Sequence, residues 1–84
     1  MTNNNEFASL RARLGLTQAE AAERLGLTVR GVQDMERREK PRMVNLAALE
    51  RLALYIAVER SDPMLAPAGV RREAFTLVHL SEGK

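Results

Sequence analysis

The chain has 84 residues, 45% of them apolar and only 4% aromatic, with no Trp and no Cys. Such a palette bounds one small domain with a core of Leu, Ala, Val and Met, which favours helices, and it excludes a disulfide framework or a thiolate zinc site. The formal net charge is only +2, from 13 basic and 11 acidic residues, so the bulk charge names no partner and its distribution must.

A single His cannot build a metal site alone, so neither metal nor cofactor is expected. The opening residues MTNNNEF lack the basic-then-apolar layout of a signal peptide, and no apolar run approaches the ~20 residues that span a bilayer. The expectation is a soluble cytoplasmic protein with no membrane partner.

Phe7, Leu10 and Leu14 recur at helical spacing and Gly15 stands where a helix would stop, which predicts a first helix from Glu6 to Leu14. Thr17 with Glu20 three residues later forms a capping box, so a second helix should begin at Gln18. Ala21, Ala22 and Leu25 make its buried stripe, and Gly26 ends it by taking the left-handed conformation that other residues resist. Thr28 then caps a third helix with Val32 and Met35 inward, Val29 undecided, and Arg30, Gln33, Asp34 and Arg37 outward. Two residues between the helices favour a crossed pair, which small side chains at Ala21 and Ala22 would accommodate. From Arg30 to Arg42 the charge is locally basic, with Arg30, Arg37, Arg38, Lys40 and Arg42 against Asp34, Glu36 and Glu39, where the third helix should end.

Asn45 can cap a fourth helix from Leu46 to about Arg60, whose main apolar stripe is Leu49, Leu52, Ala53 and Ile56. Leu54 and Val58, with Ala47, form a second stripe nearly opposite the first, and one core cannot cover both. Pro63, Pro67 and Gly69 mark a linker-like stretch. The segment after it alternates like a strand, with Phe75, Leu77 and His79 on one face and Thr76, Val78 and Leu80 on the other. Pairing with its own copy about a dimer axis is preferred over a frayed tail or a short helix. His79 reads as a half-exposed strand residue, without another His or a Cys to cooperate with it.

The stretch LTQAEAAERLGLTVRGVQDMERREKPR resembles the helix-turn-helix of the Cro/cI-type (XRE) DNA-binding proteins. The match covers roughly Phe7 to Ala53 and is specific because Gln18, Ala22, Gly26, Val32 and Glu36 coincide in spacing. The resemblance implies an all-α domain of about four helices, to which the alternating C-terminal segment would add a strand used in dimerisation. It implies that Gln18 touches a phosphate and braces the third helix, that Thr28 contacts the DNA backbone, and that Val29, Arg30, Gln33 and Asp34 face base edges. It further implies that Arg42 reaches the backbone or the minor groove, and that Arg11 and Glu36 form a partly buried ion pair. Thr17, Arg37, Arg38 and Lys40 complete the expected backbone set. Arg30 has the chemistry to chelate guanine O6 and N7, Gln33 to chelate adenine N6 and N7, and Val29 to touch a thymine methyl. For Asp34, orienting Arg30, reading a cytosine amino group and no role at all stay open. Gly31 costs ~1 kcal/mol of helix propensity, and either close approach to DNA or simple tolerance would account for it.

The expected function is a sequence-specific DNA-binding transcriptional regulator. It is read as a homodimeric repressor on a pseudo-palindromic double-stranded operator, with autoregulation as one setting. The alternative is an antitoxin-type module whose C-terminal tail binds a partner protein. Residues 1–60 are assigned to the helix-turn-helix domain, and 61–84 to a linker and dimerisation segment that includes Phe75, Leu77, Val78 and Leu80 alongside Leu54 and Val58. No catalytic constellation is present and the chain leaves no room for a ligand-sensing domain, so neither enzymatic activity nor a small-molecule ligand is expected.

Overall fold

The local signals for the first three helices are all realised in the computed structural model, which describes residues 5–82. Helices α1 (Glu6–Arg13), α2 (Gln18–Leu25) and α3 (Val29–Arg37) are followed by α4 (Met43–Glu59), a single 3-10 turn (Pro63–Leu65) and α5 (Ala68–Glu82). The protein is all-α, and no strand occurs among the described residues. Among those residues no helix is long and apolar enough to cross a membrane.

Each of the first three helices opens on a side-chain cap that satisfies an amide left over at its N-terminus. Asn5 accepts from the Ala8 N–H at 2.9 Å, Thr17 from Glu20 at 3.0 Å and Thr28 from Gly31 at 2.9 Å. The capping box of α2 is complete, since Glu20 Oε1 also accepts from the Thr17 N–H at 2.8 Å. At the other end of α2, Gly26 sits at φ 69° while the Leu27 N–H reaches back to the Ala22 carbonyl at 2.8 Å. This is the turn that lets α3 follow after only three residues, Gly26, Leu27 and the cap Thr28.

The core gathers Phe7, Leu10 and Leu14 from α1 and its end, Ala21 and Ala22 from α2, Val32 and Met35 from α3, and Leu49, Leu52, Ala53 and Ile56 from α4. α4 touches α1, α2, the 3-10 turn and α5, so it is the backbone of the packing. The main apolar stripe of α4 is buried as its spacing predicts.

Two expectations are corrected. Helix α4 begins at Met43, ahead of Asn45, which is therefore not its cap; the capping position falls to Arg42, which makes no side-chain cap bond. Pro41 disfavours helix at Lys40 before it, and Arg42 is extended at φ −66° and ψ 134°, so the helix opens directly after it. The second correction is the C-terminal segment, which is helix and not strand. Pro67 stands just before the first turn, with its carbonyl accepting from the Arg71 N–H at 2.8 Å, and Ala68, Arg71, Arg72, Glu73 and Ala74 are all good or fair helix formers. An isolated strand would leave its ladder unpaired, whereas a helix satisfies its own backbone. The residues that alternate by two also pair by three and four. Phe75 and His79 stack edge to face four residues apart with centroids at 4.5 Å, Phe75 and Val78 line one groove with α4, and Leu77 and Leu80 share the other side.

The stretch between α4 and α5 is packed rather than extended away from the domain. Ala66 is buried and Leu65 lies against the core, while the Arg60 guanidinium donates to the Leu14 carbonyl at 3.2 Å and Arg13 donates to the Met64 carbonyl.

Candidate nucleic-acid interface

Helix α3 is sharply two-sided. Val32 and Met35 are buried, while Arg30, Gln33 and Asp34 are exposed on the opposite face. Val29, the first residue of α3, turns outward too, at 42% exposure. Its apolar side chain therefore stands in solvent.

Beneath that face runs a chain of hydrogen bonds linking three helices. Arg11 on α1 pairs with Glu36 through Nε, and through Nη2 at 3.1 Å, while its Nη1 donates to the Leu16 carbonyl at 2.8 Å. The Gln18 amide of α2 donates to Glu36 Oε1 at 3.0 Å, and Gln18 Oε1 accepts from Gln33 Nε2 at 3.3 Å. The Arg11 and Glu36 side chains keep only 19% and 11% of their surface in contact with solvent. A charge-assisted pair so enclosed fixes the rotation of α3 against α1. Gln33, held by one of its N–H groups, keeps a second N–H and its carbonyl oxygen available outward, the donor and acceptor that an adenine edge requires.

The remaining anticipated residues fall as follows. Thr17 and Thr28 use their hydroxyl oxygens to cap helices, which leaves each hydroxyl hydrogen able to donate to a further acceptor. Asp34 pairs with Arg37 one turn along α3, not with Arg30. Arg37, Arg38, Lys40 and Arg42 are exposed along the end of α3 and the connection to α4. Gly31 has a reason inside the chain: an added Cβ would lie 3.3 Å from Thr28 Oγ1, so the glycine lets the cap seat closely. Glu20 at the start of α2 has its carboxyl held below the usual carboxylate range, chiefly by the Thr17 backbone N–H it accepts, then by the Thr17 side chain, with a smaller contribution from Arg60.

A model of the helix-turn-helix family matches residues 7–61, which spans α1 through the end of α4. The chain belongs to the Cro/cI-type (XRE) helix-turn-helix family. As a member it is a DNA-binding protein of the transcription-regulator class, a family defined by binding and not by catalysis. No curated protein and no solved structure matches it.

Two features of this helix-turn-helix protein are not visible in the sequence pattern. One is Asn5, which is only 7% exposed and spans from α1 to the end of α3; an Asn just before a helix is a readable cap, but its reach across 30 residues is not. The other is the apolar N-terminal turn of α4, where Met43 and Val44 are 83% and 80% exposed beside Arg42.

A second surface lies on the far side of α4. A groove of about 470 Å³ is lined by Ala47, Glu50, Arg51, Leu54, Tyr55, Val58 and Val70, and an adjoining one of about 250 Å³ continues along Ala57, Ala74, Phe75 and Val78. Leu54 is half-buried there, while Val58, Phe75 and Val78 are exposed.

Proposed function

We propose that this protein is a homodimeric repressor that occupies a pseudo-palindromic operator, with α3 as the helix entering the major groove. The observation that carries this reading is the outward row of Val29, Arg30 and Gln33 on a helix locked in rotation by the Arg11–Glu36–Gln18–Gln33 chain. A reading helix must present the same side chains to the same bases each time, and a fixed rotation meets that need. Arg30 reads a guanine and Gln33 an adenine, while Val29 takes a thymine methyl. Asp34, already engaged by Arg37, contributes least. Thr17, Gln18, Thr28, Arg37, Arg38, Lys40 and Arg42 take the phosphates.

A second copy of the chain covers the apolar grooves of α4 and α5, through Leu54, Val58, Phe75 and Val78, with Leu77 and Leu80 at the rim. Helix α5 (Ala68–Glu82) thus serves dimerisation as a helix and not as a strand. The dimer also fits the function: one helix reads too few base pairs, and two of them ~34 Å apart read two half-sites. Occupying the operator excludes polymerase from it.

A base-by-base substitution scan of an operator, first located by footprinting the DNA that flanks the gene, tests the reading face. Arg30→Ala and Gln33→Ala should each lose ~1 to 3 kcal/mol and relax preference at particular base pairs. Uniform loss over every sequence, with preferences intact, would assign both residues to the phosphates and remove α3's outward row as the reader.

A further inference from the structure

The end of α3 has no glycine to turn the chain. Arg38, its C-cap, is extended at φ −73° and ψ 146°, in contrast to α2, which closes on Gly26 in the left-handed region. The Met35 carbonyl takes only a long 3.4 Å bond from the Arg38 N–H, so the carbonyls at this end call for further donors. Asn5 supplies them: its Nδ2 donates to the Met35 carbonyl at 2.6 Å and to the Arg38 carbonyl at 3.0 Å, while its Oδ1 caps α1 by accepting from Ala8.

Both hydrogens of the amide are used, and the reversed amide would set an oxygen against two carbonyls, so the orientation is unique. Asn5 is buried, and the helix it caps is anchored in the core by Phe7 and Leu10. One side chain therefore ties the last turn of α3, and the first residue past it, to a fixed point on α1. The tied carbonyl at Arg38 is where the chain departs toward Lys40 and Arg42, which are exposed.

We propose that Asn5 is a positioning residue for DNA binding: by bridging the Met35 and Arg38 carbonyls it sets the path of residues 38–42 and holds Lys40 and Arg42 against the DNA backbone. This rests on the phosphate contacts assigned above to those two cations. Asn5 touches no DNA itself; it determines where the cations stand, and so contributes to affinity without contributing to sequence preference.

The test uses the full chain and a random-sequence duplex, whose binding reports phosphate contacts alone. Asn5→Asp keeps the acceptor for Ala8 and adds a charge favourable at a helix N-terminus, but removes both donors and turns a carboxylate toward two carbonyls. Asn5→Ser keeps the cap without the charge and is too short to bridge. Both should retain the helical spectrum and lose about tenfold in affinity, with a shallower dependence of log K on log salt, by about 0.9 for each phosphate that is no longer neutralised. In a Lys40→Ala/Arg42→Ala background the same Asn5→Ser change should alter affinity less than about twofold, because the residues it positions are gone. Equal loss in both backgrounds with an unchanged salt slope would overturn the proposal and leave Asn5 a stability residue, as would failure of both Asn5 variants to fold. If Lys40→Ala/Arg42→Ala by itself changes neither affinity nor slope, the phosphate contacts fail first, and the route from Asn5 to DNA fails with them.

Discussion

The two halves of this small protein are held by different forces. From α1 to α3, polar side chains close on one another: Asn5, Thr17, Gln18, Thr28 and Glu36 each find defined partners, and the helix ends are capped. From α4 to α5 the surface is apolar and open, with Val58 72% and Leu80 68% exposed, and the groove between the two helices is lined mainly by apolar side chains. The first half is specified from within, as a rigid reading head requires. In the second half α4's inner stripe is buried in the shared core, but its outer face and α5 are left uncovered, as an association surface requires. Substitutions that damage the first should act on folding, and those in the second on assembly.

Glu36→Ala should be the most damaging single change. It strands the Arg11 guanidinium in a site with little access to water and frees Gln18 from one of its partners. Breaking an enclosed pair by removing one member costs about 3 kcal/mol, which for a domain of this size lowers Tm by more than ~10 °C. Circular dichroism melting measures it. An unchanged Tm would mean that the polar half is not held by its polar chain.

On the other side of the comparison, Leu54→Glu with Val58→Glu should leave the helical spectrum in place and convert a dimer to a monomer. Sedimentation follows the change in mass, and operator affinity should fall about a hundredfold as the two reading helices lose their linkage. A wild-type chain that sediments as a monomer at micromolar concentration, with and without DNA, would remove the dimer. Truncation after Ala68 weighs α5 separately: if it dissociates a dimer that survives the Glu pair, the interface lies on Phe75, Val78 and their neighbours.

The same division explains what could be read from the residues alone. The starts of α1, α2 and α3 and the turn at Gly26 follow from interactions reaching three or four residues along the chain, and there sequence and structure agree. The Arg11–Glu36 pair, 25 residues apart, is reachable only through the family resemblance, since nothing in the spacing of those two residues brings them together. Helix α5 looks like a strand in the sequence because Phe75 to Leu80 alternate and carry β-branched and aromatic side chains, a pattern equally served by a helix once Phe75 and His79 stack. Local preference there is nearly balanced, and packing against α4 decides it. Asn5 joins α1 to the end of α3, a contact that no local pattern encodes.

Gly26→Ala sharpens the account of the polar half at lower cost. The residue sits at φ 69° with open space around its Cα, so the penalty is purely conformational, about 1 kcal/mol for placing a Cβ in the left-handed region. Denaturant unfolding should show a lower midpoint with an unchanged slope, since the native fold is kept. A larger loss would mean that the angle between α2 and α3 depends on this turn more than on the core beneath it.

The smallest effect, and the most selective, concerns Glu20. Its carboxyl is held below the ordinary value of about 4.5 in the folded protein, mainly by the Thr17 backbone N–H and then by the Thr17 side chain. A carboxylate whose folded pKa is depressed stabilises the fold fully above its unfolded pKa, and that stabilisation disappears as pH falls through the folded value. Stability should therefore decline on acidification from about pH 4.5 downward, and Glu20→Gln should make this decline shallower. The amide can still accept from Thr17 but carries no charge for α2's N-terminus to favour, so the variant starts slightly less stable at neutral pH. The readout is the difference in stability between wild type and variant as a function of pH, which cancels every other titrating group common to both. That difference should be positive and flat through neutral pH, then shrink on acidification below about pH 4.5. A difference that stays constant into the acid limb would mean that the capping box contributes through geometry alone, with no part played by charge.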